Sequence, residues 1–518
     1  MQPGTHMRAS AAATAWIDRP TAVLLAAILT CGLIRLWLAP ALGLTEDEAY
    51  YRLWALAPAK SYLDHPPMTG WMIAFGRWLA GDTPLGIRLP AILVSLGGPL
   101  VLWRTASILL GPIVARRATW IALAMPLLAV GGVIITPDTP SVLFWGLAGW
   151  ALAELYSSRN ANWWLVVGLT AGLGLLSKYS NLFVGASILL WLAWSPGNRV
   201  WLRRWQLWAG GVLACLLALP VVLWNMEHDW ASVIKQIGRA ARGQHLTLAY
   251  LGELLGGSLG MMSPIIAVLG GIGLVRLVRM ALKDKDGPAA LIVCGMAPFL
   301  AYLLVHALHS RVQLNWVAPL YGAFALCAAV ALDGLGSTGT AGGMSARPAF
   351  GRLGVWAVGL GVAISAVLYW HTLRPFVVLS GQRDPTSQTR GWRELAAEVE
   401  RVRAATGACW IATSSYATTA QLAYQLKDKG TPVVQITERI RYLHLRPPDP
   451  ALLTCPALYV ELHRRGGEEL VKRRFGSATR LDSLTRRHAG VSLGTFVVYL
   501  ASGLDRLDGD DATPNLQH

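Results

Sequence analysis

The sequence predicts a polytopic α-helical membrane protein with a small water-exposed α/β domain at its C-terminal end. Three observations lead there. Apolar residues make up 54% of the 518 positions and charged residues only 14%, against about 25% charged in a soluble domain. Apolar runs near the length of a spanning helix recur from residue 20 to residue 371, and mean hydropathy is +0.44. After about residue 375 the runs shorten and alternate with charged and turn-forming residues.

A helix that crosses a bilayer needs about 20 mostly apolar residues. Such runs lie near 20–40, 86–109, 113–133, 139–156, 162–176, 179–194, 205–224, 256–280, 288–308, 315–333 and 351–371. That is about eleven spans, some of them short. Residues Met1 to Pro20 hold no apolar core followed by a cleavage site, so the first span is expected to stay as a helix. The 23 Trp suit a chain with two membrane–water interfaces.

The net charge of +16 reads first as topology. Arg116, Arg117, Arg203, Arg204, Arg276 and Arg279 fall in one set of loops; Asp47, Asp64, Asp138, Glu227 and Glu253 fall in the other. The positive-inside rule makes the first set cytoplasmic. That places the N-terminus inside, and an odd number of spans then puts residues 375–505 outside, with 1–374 as the transmembrane domain. No long basic run is interleaved with aromatics, which argues against nucleic-acid binding.

The first outer loop, about 41–85, is too long for a turn. Tyr50, Tyr51, Leu53 and Trp54 lie among charges in one half, and Trp71, Ile73, Phe75 and Trp78 mark the other. Pro66 and Pro67 between them forbid one continuous helix. Two short amphipathic helices lying in the membrane plane are expected.

In the tail, residues 392–406 have helical periodicity, and 408–415, 431–437, 457–462 and 495–501 read as short buried strands. A small α/β domain over 375–505 follows, then a polar, disordered end at 506–518. Residues 334–345 read as a cytoplasmic linker. Cys31, Cys215, Cys294 and Cys327 lie in apolar runs; Cys409 and Cys455 lie in the tail, where a periplasmic setting would permit a disulfide. The tail arginines Arg439, Arg441, Arg446, Arg464, Arg465, Arg473 and Arg474 read either as a solvated face or as an aid to selecting an anionic partner.

Polar groups gather on the outer face: Asp47, Glu48, Asp64, His65, Asp138, Lys178, His228, Arg239, Arg242, His245, His306, His309 and Arg311. Ionisable groups are costly at membrane depth and mark function there. Lys178, Arg239, Arg242 and Arg311 also break the positive-inside trend, and an anionic ligand supplies a local reason. Blander roles stand beside these. Asp47 and Glu48 could serve a helix dipole, Asp64 a turn, Asp138 an N-cap, and the histidines interfacial hydrogen bonds.

The loop Thr45-Glu46-Asp47-Glu48-Ala49-Tyr50-Tyr51, followed by Tyr62-Leu63-Asp64-His65-Pro66-Pro67-Met68, resembles the first periplasmic loop of bacterial membrane glycosyltransferases. These form the superfamily of aminoarabinose transferases and protein O-mannosyltransferases, with the GT-C fold. Further similarity lies in residues 136–140, 175–180, 315–321 and 391–396, so the resemblance spans about residues 20–500. It implies a sugar donor on a polyprenyl or dolichyl phosphate, inversion at the anomeric carbon and a site under the first loop. The family's catalytic Asp falls on Asp47. Where aminoarabinose transferases carry Glu-Lys-Pro, this chain has Asp64-His65-Pro66, so that lysine's phosphate role does not pass directly to His65.

Inverting transfer needs a base for a hydroxyl acceptor and cations for the leaving phosphate. The expected catalytic residues are Asp47, as base, and Glu48; the phosphate partners are Arg311 and Lys178. Asp64, His65, Asp138 and Tyr321 would position substrate. No cofactor is required; a divalent metal is compatible, with Asp64, His306 and His309 as candidate ligands. The expected setting is the cell inner membrane, and the expected acceptor an amphiphilic anion such as lipid A or lipopolysaccharide core. A protein or polysaccharide transferase of the same superfamily, a lipid or sugar transporter, and a receptor are the competing readings. Against transport, the polar residues gather on one face rather than at mid-membrane.

Overall fold

A computed structural model describes residues 18–241, 246–285, 287–336, 351–381, 384–463, 467–505 and 507. Arg242, His245, Arg464 and Arg465, named above, lie outside these residues, as do most of the expected linker and tail end. The membrane part is helical throughout. It comprises α1 (Arg19–Ala41), α2 (Glu46–Leu56), α3 (Met68–Ala80), α4 (Pro84–Leu110), α5 (Pro112–Ala124), α6 (Pro126–Gly131), α7 (Asp138–Ser158), α8 (Trp163–Leu175) and α9 (Leu182–Trp194). It continues with α10 (Trp205–Glu227), α11 (Ala231–Ala241), α12 (Ala249–Met262), α13 (Pro264–Leu282), α14 (Gly287–His306), α15 (Tyr321–Gly336) and α16 (Arg352–Leu373).

Every expected span carries a helix. Among the described residues, seven segments are long and apolar enough to cross a membrane by length and composition: α1, α4, α10, α13, α14, Leu314–Leu335 and α16. The expected span at 113–133 is broken, because Met125 leaves the helical conformation and Pro126 opens a new helix. The span expected at 256–280 is likewise divided at Ser263-Pro264. Large apolar side chains stay exposed along the long helices, such as Leu33 and Trp37 on α1, Val212 and Leu216 on α10, and Val355 and Val367 on α16. In water such surface would be a liability; here it faces lipid. Between helices, small residues permit close approach. A Cβ on Gly168 of α8 would lie 2.1 Å from the Gly210 carbonyl of α10.

The C-terminal domain begins with α17 (Trp392–Ala405) and α18 (Tyr416–Gln425) around strands β1 (Trp410–Thr413), β2 (Val433–Gln435), β3 (Ala457–Leu462), β4 (Phe475–Arg480), β5 (Leu484–His488) and β6 (Val491–Leu504). The sheet order is β2-β1-β3-β6-β4, with β5 also on β6. β1 runs parallel to β2 and β3, and β6 antiparallel to β3, β4 and β5. The four expected strands are present. β4 and β5 escaped the sequence reading because their residues are mostly polar and half exposed. Cys409 and Cys455 form a disulfide, Cα–Cα 5.9 Å, joining the start of β1 to the segment before β3.

The first loop differs from expectation in one half. α3 leaves Phe75, Trp78 and Leu79 exposed, as an in-plane helix should. α2 is instead enclosed: its residues from Glu48 to Ala55 are buried. The C-terminal domain covers it, and Gln421 Nε2 of α18 donates to the Leu44 carbonyl at 2.8 Å.

Candidate active site

The adjacent carboxylates of α2 have separate fates. Thr45 and Glu48 form a capping box: Glu48 N donates to Thr45 Oγ1 at 3.1 Å and Thr45 N to Glu48 Oε2 at 3.0 Å. The same Glu48 carboxylate, fully buried, is gripped by Arg88 of α4 at 2.6 and 2.8 Å and accepts from Ile135 N. Arg88 also donates to the carbonyls of Ala39, Leu42 and Gly43. Glu48 is thus a brace that fixes α2 to α1, α4 and the segment before α7, which departs from the expected catalytic role: both oxygens are occupied.

Asp47 is left to face a cavity of about 550 Å³. Tyr416 donates to its Oδ1 at 3.2 Å. Burial pushes its carboxyl up to about 6, and the negative neighbours Glu46, Asp64 and Glu48 add to the rise against the Tyr416 hydrogen bond. A carboxylate poised there can take a proton near neutral pH.

Asp138, the first residue of α7, lines the same cavity. Its side chain caps nothing. It receives Lys178 Nζ and Asn315 Nδ2, each at 2.6 Å. Asp47, Asp138, Thr136, Gln313, Asn315 and Gln388 make the polar end of the cavity. Its other walls are mostly apolar, with Ala91, Leu102 and Leu109 of α4 among them, and Arg35 of α1 is the charged exception. From Ala91 to Leu109 the helix rises about 27 Å, close to the thickness of a bilayer's hydrocarbon core.

The remaining expected residues are placed elsewhere. Arg311 is exposed and paired with Glu253 at 2.6 Å, off the cavity wall. Tyr321 is buried in the helical core. His65 is half-buried beside Asp64. His306 and His309 lie edge to face, 5.1 Å between ring centres, and His306 also meets Trp316. Asp64 stands apart from both, held by Lys235 at 2.8 Å, by Tyr50 at 2.8 Å and by Arg441. Burial would raise its carboxyl, but Arg441 and Lys235 outweigh that and hold it far below the usual range. Among the described residues no group of three His, Cys, Asp or Glu is arranged to hold a metal ion, so the candidate set of Asp64, His306 and His309 is not brought together.

Sequence reasoning missed Tyr416, Arg441, Lys235, Arg88 and Arg35. Arg441, for which the sequence offers a solvated face or the selection of an anionic partner, is buried, paired with Asp64 and Glu438, and stacked over Tyr416 at 5.2 Å. Tyr416 is held by its turn. The buried Glu461 accepts from Ser414 N and from Ser415 and Thr418 hydroxyls, which sets the start of α18 and aims Tyr416 at Asp47.

Residues 64–224 match the family model of dolichyl-phosphate-mannose-protein mannosyltransferases. The chain is 27% identical over 280 residues to lipid A galacturonosyltransferase RgtD of Rhizobium johnstonii, covering 53% of this chain and 58% of that one. It is 29% identical over 175 residues to the undecaprenyl phosphate-α-4-amino-4-deoxy-L-arabinose arabinosyl transferase of Edwardsiella ictaluri, covering 32% and 31%. The aligned parts thus span a little over half and about a third of these relatives' lengths. In fold, it is similar to ArnT from Cupriavidus metallidurans in the apo state, with TM-score 0.64, 15% identity and coverage of 94% of this chain and 98% of that one. The form of ArnT bound to undecaprenyl phosphate gives 0.60, also at 15% identity, covering 96% and 100%.

Proposed function

We propose that this chain is an inner-membrane glycosyltransferase of the GT-C superfamily of aminoarabinose transferases and protein O-mannosyltransferases, a reading supported by its similarity to the proteins above. It takes a sugar from a polyprenyl-phosphate carrier and passes it, with inversion, to lipid A or lipopolysaccharide core at the outer face. The observation that carries this reading is the cavity itself. It joins a membrane-deep apolar wall to a polar end bearing Asp47 and Asp138. A long isoprenoid chain suits the first part and a sugar the second.

In the proposed step, the acceptor hydroxyl oxygen attacks the anomeric carbon while the bond from that carbon to the phosphate oxygen breaks. Asp47 takes the hydroxyl proton, and the carrier leaves as its phosphate. Asp138, oriented by Lys178 and Asn315, holds the sugar. No part of this chemistry calls for a cofactor. The disulfide of Cys409 and Cys455 supports an oxidising, periplasmic setting for the C-terminal domain. The lipid A acceptor is supported by the relative from Rhizobium, whose name states that substrate.

The test is mass spectrometry of envelope lipids from cells with and without the gene, together with turnover of a labelled polyprenyl-phosphate sugar by purified protein. A sugar lost from lipid A or core is the expected result. Lipid A and core of unchanged mass, with a sugar lost from a protein or another polymer, would rule out the acceptor and leave the transferase. No turnover with any such donor would sink both.

A further inference from the structure

Arg35 lies in α1, six residues before its outer end, or about 9 Å along the helix. Its side chain is on the cavity wall, only 4% exposed and in contact with the Tyr369 hydroxyl, yet Nε and Nη1 are buried without a hydrogen-bond partner. No carboxylate pairs with it among the described residues. A charged guanidinium left this way inside a membrane is expensive, and the expense marks a ligand. The other cations near the polar end are engaged: Lys178 by Asp138, and Arg88 by Glu48 and three carbonyls. The packing makes room for the group. A Cβ on Gly132 would lie 2.6 Å from Arg35 Nε and 2.9 Å from Ser95 Cβ.

We propose that Arg35 holds the phosphate of the carrier lipid inside the groove, between the sugar at Asp47 and the isoprenoid chain along α4. The assignment rests on the carrier reading above. The order follows from depth. Asp47 lies beyond the outer end of α1, Arg35 within it, and the apolar wall continues along α4 to Leu109. A phosphate linking sugar to chain falls at the level of Arg35. Its planar fork can donate two parallel bonds to phosphate oxygens, which Lys178, already paired, does not offer. The inward position also explains why no outer-loop cation needs to be free.

The experiment compares binding of undecaprenyl phosphate and undecaprenol to full-length protein in detergent. Wild type should prefer the phosphate, and Arg35→Gln should lose about ten- to hundredfold in affinity for it, with undecaprenol binding unchanged. That unchanged arm reports an intact groove. Arg35→Lys should recover part, and Gly132→Ala, which crowds the guanidinium without removing its charge, should lose part. Wild-type preference in both Arg35→Gln and Gly132→Ala overturns the proposal while the transferase reading stands. So does a defect seen only with sugar-loaded donor and absent with bare undecaprenyl phosphate, since the anion would then be on the sugar. A wild type that binds the two lipids equally removes the carrier reading as well.

Discussion

Tyr416, in the C-terminal domain, donates a hydrogen bond to Asp47, on the first membrane loop, at 3.2 Å and across 369 residues of sequence. The hydrogen bond favours the ionised carboxylate, while burial opposes it more strongly. The outer domain therefore does more than cover the site: it tunes the group proposed as base. Removing only the hydroxyl, in Tyr416→Phe, should raise the Asp47 pKa by about half a unit to one unit. The acid limb of the kcat/KM profile should move up by the same amount, with the rate recovering above pH 8. An unmoved limb with a uniformly lower rate would mean that Tyr416 only packs.

Asp47→Asn should lower turnover by roughly two to four orders of magnitude, the range that general-base catalysis supplies, and leave carrier binding intact. Stability should move the other way. The folded carboxyl titrates at about 6, above its usual 3.8. Its contribution is therefore full below pH 3.8 and is lost as pH rises through 6. At pH 7 the ionised group destabilises the fold, and the substitution should stabilise by about 1–2 kcal/mol after allowing for its partial exposure. Melting temperatures at pH 4 and pH 7 check this: a gain at both, or at neither, would contradict the linkage.

The clamp on Asp64 predicts the opposite pH dependence. Its carboxyl is held far below 3.8 by Arg441 and Lys235, so the stabilisation is present above the unfolded value and lost as pH falls below about 4. Arg441→Ala leaves Asp64 to Lys235 and the Tyr50 hydroxyl and should cost about 3–5 kcal/mol, as breaking a buried pair does. Because Arg441 belongs to the C-terminal domain and Asp64 to the first loop, the loss should show as faster proteolysis between them. Calorimetry with limited digestion measures both; a stable variant with unchanged cleavage would show that the domain docks without this pair.

Much of this was legible in the sequence, and the failures have one physical origin. Apolar run length located each of the seven segments that, among the described residues, are long and apolar enough to span, because lipid imposes length and polarity on each segment by itself. Short apolar runs bounded by turn residues located β1, β2, β3 and β6, whose residues are largely buried. β4 and β5 pair through backbone atoms with little apolar content, so no side-chain pattern marked them. At the site, the family-like Asp47-Glu48 pair was found, but which carboxylate braces and which is free depends on Arg88, 40 residues away. Tyr416 and Arg441 are set by a docking of two units that no local spacing encodes. Arg35 sat in an apolar run and read as part of a span.

The two cations expected to meet phosphate should now separate. Arg311 is exposed and paired with Glu253 off the cavity wall, and such a surface pair is worth about 0–1 kcal/mol. Arg311→Ala should change donor KM by less than about fivefold. Lys178 orients Asp138 inside the cavity, so Lys178→Ala should lower kcat and leave Asp138 buried with one partner fewer, at a cost of about 1–3 kcal/mol. A donor KM that rises tenfold or more in Arg311→Ala alone would return the phosphate to that residue.

Orientation decides whether any of this can reach an outer-leaflet acceptor. The described chain carries Asp47, Asp138 and the C-terminal domain on one end of the bundle, joined by the Tyr416 and Arg441 contacts. Arg116 and Arg117 lie at the opposite end, at the start of α5, where the positive-inside rule calls for cytoplasm. Ser477, exposed on the edge strand β4, is a position where a thiol would be accessible without disturbing the core. In intact cells, Ser477→Cys should react with a membrane-impermeant maleimide before any permeabilisation. A cysteine at Arg116 should react only afterwards. The native pair Cys409–Cys455 adds a second readout, since a disulfide-bonded pair stays unalkylated until a reductant is supplied. Labelling of Ser477→Cys only in permeabilised cells would put the cavity's polar end in the cytoplasm, and with it would fall the lipid A acceptor, because a cytoplasmic site would meet the carrier before it crosses the membrane.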